Sequence, residues 1–334
     1  MFRGVLSLLT ILFLSQFAAT GADSAPADWP TRPIAVIIPG PAGSATDIIA
    51  RIVTREMSKR LGQPIVIENR PGGEGTIGTR AAARAAPDGY TFTIGANNSY
   101  AGAVISHGAS LDYDPVKDFE PVSLVGRAPY LLAVYPGLGV SSVEDLLRLA
   151  KSKPGALNYA AIGEASVSRY GMLLFEQTKG IELKYIPYKS TAQSIVDLAS
   201  GVIQLQLATI PPTLALMQNG TVKALAVTSA KRIPRLPDMP TMQEAGVANY
   251  DVAFWLAMFA PAKTPRPIID KVNAALRASL DVPEVQAALA VQGFDGQATS
   301  PEGMADILRK DIDNFHAAFA RAGFKPGEDK PQSR

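Results

Sequence analysis

Residues 34–61 read IAVIIPGPAGSATDIIARIVTREMSKRL: an apolar run, a loop of small residues and a long amphipathic stretch. The apolar run 34–38 predicts a buried strand, and the periodic stretch 47–61 predicts a helix. Strands alternating with helices in this way are typical of an α/β fold with a mostly parallel sheet. Because the same alternation continues to residue 94 and resumes from 130 to 227, we expect two such α/β units.

The pattern places the other elements by their apolar spacing and their Pro and Gly boundaries. The expected strands are 34–38, 65–68, 91–94, 130–134, 157–159, 183–186, 224–227 and 252–259. The expected helices are 47–61, 76–86, 142–151, 166–179, 190–200, 267–280, 283–292 and 301–322.

Unit sizes favour two lobes over one long sheet. We expect residues 28–125 with 253–324 to form lobe 1, and residues 126–252 to form lobe 2. The chain would then cross between the lobes near 122–130 and near 250–254. Small-molecule sites concentrate in clefts of this kind.

Composition narrows the classes of function. The chain carries 32 Lys+Arg against 30 Asp+Glu, so no strong field selects nucleic acid or another polyanion. It has no Cys, which excludes disulfides, thiolate metal sites and a Cys nucleophile.

Both ends of the chain are expected to lie outside the fold. Residues 1–22 combine one cation, Arg3, an apolar stretch and a run of small residues, which is the layout of a secretory signal peptide. We therefore expect export to a periplasm, without a lipid anchor because no Cys is present. The polar tail 325–334 is expected to be frayed.

The sequence offers little support for an enzyme. Gly73 to Gly78 fits the G-x-G-x-x-G pattern, but it follows the second strand, and the acidic Asp88 sits in a turn. The two histidines, His107 and His316, have no recognisable Ser or Asp partner. We therefore predict no catalytic residue, no metal site and no cofactor.

Short motifs in a particular order carry a resemblance to one family. They are WPTRPI (29–34), PGPAGSATD (39–47), ENRPG (68–72), APDGY (86–90), YDPVKDF (113–119), LNYA (157–160), PYK (187–189), ALAVTSAK (224–231), LPDMPT (236–241), EAG (244–246) and APA (260–262). The chain resembles the periplasmic receptors of the tripartite tricarboxylate transporters, the Bug family. This resemblance implies a two-lobed type II periplasmic-binding-protein fold that closes on a small carboxylate and presents it to a membrane permease, without catalysis or cofactor.

The loop before the first helix is the first half of the expected site. Backbone N–H groups at a helix N-terminus favour an anion. The candidate ligand-binding residues here are Gly40, Ala42, Gly43, Ser44, Ala45 and Asp47. Asp47 resembles the family's Asp that fixes ordered water, and helix capping is the alternative role. Gly40 replaces a larger family residue, so we expect a roomier wall.

The opposing lobe and the cleft rim supply the other candidates. They are Asn97, Ser99, Ala161, Gly163, Ser166, Ser168, Arg169, Tyr188 and Thr209. Arg169 stands where the family has His; it either clamps a carboxylate or lies exposed or capping near the helix start. Tyr188 either contacts the ligand or packs in the core. Arg127 is a second charge clamp or, with better support, a hinge salt bridge.

The sequence therefore predicts a monomeric solute-binding receptor. Gly40, Ile162 and Ala208 together favour a cleft more apolar than usual in the family, suited to a dicarboxylate or an aromatic acid. A periplasmic sensor that reports its ligand to a signalling protein is the alternative, because it would use the same cleft.

Overall fold

The computed structural model describes residues 28–325. The predicted signal peptide, 1–22, and all but the first residue of the predicted tail, 325–334, lie outside the described residues. No helix within 28–325 combines the length and the apolar character that crossing a membrane requires.

Within the described residues, ten strands form one continuous sheet. They are β1 (Ile34–Ile38), β2 (Ile65–Asn69), β3 (Thr91–Ala96), β4 (Phe119–Val134), β5 (Asn158–Ile162), β6 (Lys184–Tyr188), β7 (Leu205–Thr209), β8 (Lys223–Val227), β9 (Ala253–Pro261) and β10 (Asp295–Gly296).

Helices cover the sheet. They are α1 (Ala45–Leu61), α2 (Thr76–Ala83), α3 (Ala101–His107), α4 (Val143–Ser152), α5 (Val167–Lys179), α6 (Thr191–Ser200), α7 (Ile210–Gln218), α8 (Arg266–Leu280), α9 (Pro283–Val291) and α10 (Pro301–Arg321). The predicted elements all occur, β1 with the predicted ends and the others with shifted ends, while α3, β7, α7 and β10 were not among them.

The strand order is β2-β1-β3-β9-β4-β7-β5-β6, with β8 and β10 also paired to β4. β1 runs parallel to β2 and β3, and β5 runs parallel to β6 and β7. The central strands β4 and β9 run antiparallel to each other and to their outer neighbours. The expectation of a mostly parallel sheet is therefore wrong at the centre, because one strand leaves the first lobe and another returns to it.

Strand β4 joins the two halves of the sheet. Its residues 119–129 pair with β9, and its residues 130–134 pair with β7 and β8. The sequence predicted only 130–134 as strand. Pro121 and Pro129 lie within β4, and Pro inside an apolar run argues against a central strand. The ladder accommodates the first part of β4 with two register shifts.

The buried side chains form separate cores for the two lobes. One core packs α1 and α8 on the first half of the sheet, with Val53 and Leu276 among its members. The other packs α4 and α5 on the second half, with Leu146 and Phe175 among its members. These cores are the interiors of the two lobes.

Helix α10 contributes to both halves. Leu308 near its start packs with Trp255, whereas Phe315 and Phe319 near its end pack in the core of lobe 2. Phe315 stacks on Tyr170 of α5 with ring centroids 4.3 Å apart. The expected assignment of all of 253–324 to lobe 1 therefore does not describe the packing of α10, and the lobe boundaries stay a prediction.

Candidate functional site

The loop between β1 and α1 is organised by the helix that follows it. Ser44 is the N-cap of α1, with φ −67° and ψ 161°, and its Oγ accepts the N–H of Asp47 at 3.3 Å. The helix begins at Ala45, two residues before the predicted start. The side chains of Ala42 and Ala45 are exposed beside it. The first N–H groups of α1 have no acceptor within the helix and point into this loop.

Asp47 fastens the loop from inside. Its side chain is buried; Oδ2 accepts the Gly43 N–H at 2.9 Å, and the carboxylate also accepts Arg51 Nε and Asn69 Nδ2 at 3.0 Å each. Burial alone would raise the pKa of Asp47, but the hydrogen bonds from Arg51, Gly43 and Asn69 outweigh it and lower the pKa. Asp47 is therefore ionised, and its carboxylate holds the loop to α1 and β2.

The geometry of this loop changes the predicted roles of Gly43 and Gly40. The Gly43 N–H is occupied by Asp47, so it is not a free donor for a ligand in this structure. Gly40 has a local reason to be small, since a Cβ there would lie 3.3 Å from Ser44 Oγ. The N–H groups of Ala42 and Ala45 remain the candidates for a ligand carboxylate.

The glycine-rich run after β2 packs against the same loop. A Cβ on Gly78 would lie 2.8 Å from Pro39 Cα, and one on Gly75 would lie 3.2 Å from Pro39 O and 3.1 Å from Ser99 Cβ. The glycines of the G-x-G-x-x-G pattern thus permit close packing of backbone on backbone. They support the first loop and the rim, which explains the pattern without a nucleotide.

Asn97 and Ser99 occupy the turn after β3 and are buried. Asn97 Nδ2 donates to the carbonyl of Ala253 at 3.1 Å, where β9 begins. Ser99 Oγ donates to Ala96 O at 3.2 Å. Both side chains are engaged in tying the rim to the crossing strand, and Asn97 Oδ1 has no hydrogen-bond partner among the described residues.

The second loop, between β5 and α5, repeats the arrangement of the first. Ser166 is the N-cap of α5 and its Oγ accepts the Arg169 N–H at 3.2 Å. Ser166 Oγ lies 3.1 Å from Ser168 Oγ, and both residues are buried, as is Ala161 at the end of β5. Gly163 has φ +89°, a left-handed conformation that glycine adopts without strain.

Arg169 is held within its own lobe. Its guanidinium forms an ion pair with the Glu164 carboxylate and donates to the Glu164 carbonyl at 2.9 Å. Its Cζ also lies 4.2 Å from the centroid of the Tyr185 ring. The side chain is only 14% exposed. Of the two roles left open for Arg169, the geometry does not support the carboxylate clamp, because its charge is already balanced by Glu164.

Three further candidates lie in lobe 2. Tyr188 Oη donates to Asp197 Oδ2 at 2.6 Å, so its hydroxyl serves α6 rather than a ligand. Thr209 is exposed at the start of α7, and its carbonyl accepts the Thr213 hydroxyl. Ala208 is fully buried among Ala133, Ala160 and their neighbours, so its methyl group belongs to the core of lobe 2 and does not make the cleft more apolar.

Arg127 lies where β4 passes from one lobe to the other. Its Nη1 is 3.0 Å from Asp251 Oδ2, with both side chains about one-third exposed. Asp251 Oδ1 also accepts the Ala230 N–H at 3.2 Å. This geometry supports the hinge salt bridge of Arg127 over the alternative of a charge clamp.

The two lobes meet at the rim of the cleft. A Cβ on Gly102 of α3 would lie 2.7 Å from Ala165 O, and one on Gly163 would lie 4.0 Å from Glu74 Oε1. The sequence pattern did not indicate a functional role for Glu74 or Arg51. The only signal for Glu74 was its position within a run of glycines.

Other features of the surface do not coincide with this cleft. A hollow of about 910 Å³ is lined by the start of α4 and by residues 235–240 and 244–246. No cluster of three or more His, Cys, Asp or Glu side chains within 28–325 is arranged to hold a metal ion. The candidate site is therefore the space between the loops that precede α1 and α5.

Comparison with known proteins finds one family. The family model described as "Tripartite tricarboxylate transporter family receptor" matches residues 49–319. The chain is 32% identical to Protein BugT of Bordetella pertussis over 312 residues, which cover 92% of this chain and 96% of BugT.

Solved structures agree with this match. A protein of R. palustris with adipate has a TM-score of 0.75 and 34% identity, covering 89% of this chain and 99% of the other. MatC from Rhodopseudomonas palustris with bound malate has a TM-score of 0.70 and 32% identity, covering 87% of this chain and 99% of the other. The periplasmic binding protein BugD has a TM-score of 0.71 and 32% identity, covering 89% of this chain and 99% of BugD.

Proposed function

Because this chain belongs to the tripartite tricarboxylate transporter receptors of the Bug family, we propose that it captures a small carboxylate between its two lobes and delivers it to the transporter's permease. The family is one of solute-binding receptors and not of enzymes. The ligand's carboxylate binds to backbone N–H groups at the start of α1 or α5. Closure of the lobes then buries it.

One observation carries this proposal: the two loops that border the cleft are built alike. Each follows a parallel strand, each ends in a serine N-cap, and each opens a helix of more than ten residues. Helix N-termini offer unpaired N–H groups and a positive dipole end to an anion. The ion pairs Asp47–Arg51 and Glu164–Arg169 stiffen the loops without adding net charge.

Two acid classes remain open for the ligand, dicarboxylates and aromatic acids. Two relatives bind dicarboxylates, namely adipate and malate, which supports the first. The half-buried Ile162 at the end of β5 supports an apolar ligand body. Ala208 is buried in the core of lobe 2. It therefore no longer supports the predicted apolar cleft, which rested on Gly40, Ile162 and Ala208.

Thermal unfolding tests the ligand class. The protein would be unfolded and refolded to remove bound ligand, then screened with mono-, di- and tricarboxylates, aromatic acids, amino acids and sugars. A ligand at a hundred times its Kd adds about 2.7 kcal/mol to the free energy of unfolding and raises Tm by several degrees. Shifts with a neutral or cationic solute alone would overturn the carboxylate proposal.

The proposed setting is the periplasm, reached after removal of residues 1–22, with the protein acting as a monomer. N-terminal sequencing of exported protein and size-exclusion chromatography check these two points. A periplasmic sensor would bind the same ligand in the same cleft. Loss of uptake of the labelled acid in a deletion strain supports transport, whereas unchanged uptake with loss of a transcriptional response supports sensing.

A further inference from the structure

Glu74 is the one non-glycine residue in a turn where every residue has a positive φ. Gly72, Gly73 and Gly75 have φ values of 120°, 56° and 99°, and Glu74 between them has φ 56° and ψ 27°. A residue with a Cβ is disfavoured in this left-handed conformation, which glycine adopts freely. Strained residues of this kind concentrate at functional sites. The left-handed backbone of Glu74 therefore makes this residue a candidate functional residue.

The turn places Glu74 among the loops of the cleft. Its neighbour Gly75 packs against Pro39 of the first loop and Ser99 of the rim. The Glu74 carboxylate reaches the other lobe, because its Oε1 lies 4.0 Å from where a Cβ on Gly163 would be. Burial raises the pKa of the Tyr185 hydroxyl, and the nearby carboxylates of Glu164 and Glu74 add to that rise.

The carboxylate of Glu74 differs from three others near the cleft, because it has no ion-pair partner among the residues that the structure describes. Three other carboxylates near the cleft are each paired with a cation: Asp47 with Arg51, Glu164 with Arg169, and Asp251 with Arg127. No ion pair among residues 28–325 includes Glu74, and its residue is exposed. Within residues 28–325, Glu74 is thus an exposed carboxylate at the cleft rim without a paired cation.

We propose that Glu74 determines specificity by disfavouring a second negative charge on the ligand, so that the cleft takes aromatic monocarboxylates in preference to dicarboxylates. This inference rests on the proposed function and chooses between its two acid classes. The ligand's single carboxylate binds to a helix N-terminus, and its uncharged body faces Glu74. A second carboxylate at that end would meet Glu74 across the partly solvated rim, where like charges several ångströms apart change affinity by about tenfold.

The test compares benzoate with terephthalate, which adds one carboxylate to the same ring, by titration calorimetry at pH 7. The wild-type protein is expected to bind benzoate more tightly. Glu74→Gln keeps the size of the side chain, and we expect it to tighten terephthalate binding about tenfold while benzoate affinity changes by less than about twofold. Glu284→Gln, at an exposed position on α9, is the matched control and should change neither affinity.

A second variant separates charge from backbone strain. Glu74→Gly removes the charge and also suits the left-handed backbone, so it should raise Tm and relax selectivity in the same direction as Glu74→Gln. Equal changes for benzoate and terephthalate, or no change in either variant, would overturn the role of Glu74. Tighter wild-type binding of terephthalate would overturn it as well. Binding of neither acid, nor of any acid in the thermal screen, would instead remove the proposed function itself.

Discussion

Single side chains hold the first cleft loop in position before any ligand arrives. Asp47 accepts hydrogen bonds from the loop at Gly43, from its own helix at Arg51 and from β2 at Asn69. A preorganised loop loses less conformational freedom on binding, and this raises affinity. In the proposed function, Asp47 therefore acts on ligand binding through the backbone that it positions.

Asp47→Asn is expected to lower the free energy of unfolding at pH 7 by about 1–3 kcal/mol, because charge-assisted hydrogen bonds are lost. The folded pKa of Asp47 lies below its usual value. Its stabilisation is therefore present above the unfolded-state pKa, near 4, and is lost as the pH falls through the folded pKa.

Denaturant unfolding between pH 7 and pH 2.5 checks this sign. The difference between the wild type and Asp47→Asn should shrink at the acid end of the range. Asp145→Asn serves as a comparison, because Asp145 lies at the start of α4, away from the cleft. Hydrogen bonds from Ser141 and Ser142 lower the pKa of Asp145 to about 2. A gap between wild type and Asp47→Asn that widens with acid would contradict the assignment.

At the scale of elements, five helices within residues 28–325 begin with a serine N-cap whose Oγ accepts the N–H three residues later, and two of them, α1 and α5, border the cleft. Ser44, Ser166 and Ser142 are the N-caps of α1, α5 and α4, and each Oγ accepts the N–H three residues later. A serine N-cap stabilises a helix by satisfying one of its unpaired N–H groups. At α1 and α5 it also fixes where the remaining N–H groups point.

Replacing each of these serines with alanine is expected to cost about 1 kcal/mol of stability. Ser44→Ala and Ser166→Ala should also weaken carboxylate binding by several-fold, since their loops lose definition. Ser142→Ala should match them in stability loss and keep wild-type affinity. Titration calorimetry and thermal unfolding of the three variants give both quantities, and a comparable affinity loss in Ser142→Ala would argue against the cleft as the site.

At the scale of the whole molecule, the two lobes are connected where β4 and β9 cross side by side. The pair Arg127–Asp251 spans this region, and α10 packs against both lobes. In the proposed function, closure around a ligand bends the chain here, because these strands are shared by both halves of the sheet. We therefore expect this connection to set the balance between the open and closed forms of the proposed cycle.

Arg127→Gln is expected to change stability by less than about 1 kcal/mol, because the ion pair is partly exposed. It should enlarge the radius of gyration of the ligand-free protein and weaken ligand binding, since a looser hinge populates the closed form less. Small-angle scattering with and without ligand measures this. Arg80→Gln breaks a pair with Asp112 of similar exposure within lobe 1 and is the control; equal behaviour of the two variants would refute a hinge role.

The local pattern of the sequence predicted the parallel halves of the sheet, most helix starts and the two loops that border the cleft. Strand periodicity, serine caps and small-residue loops act between residues only a few positions apart, so they are legible in the sequence. The motifs that resemble the Bug family also predicted the two-lobed fold, which the solved relatives confirm.

The tertiary structure decided which groups meet over long separations in the chain. It made β4 and β9 antiparallel, paired Arg127 with Asp251, and buried Ala208 in the core. It also brought Glu74 to the loop at Gly163. No local pattern encodes these contacts, because each depends on how two distant segments pack. The tertiary structure therefore decides which charged side chains lie together at the cleft.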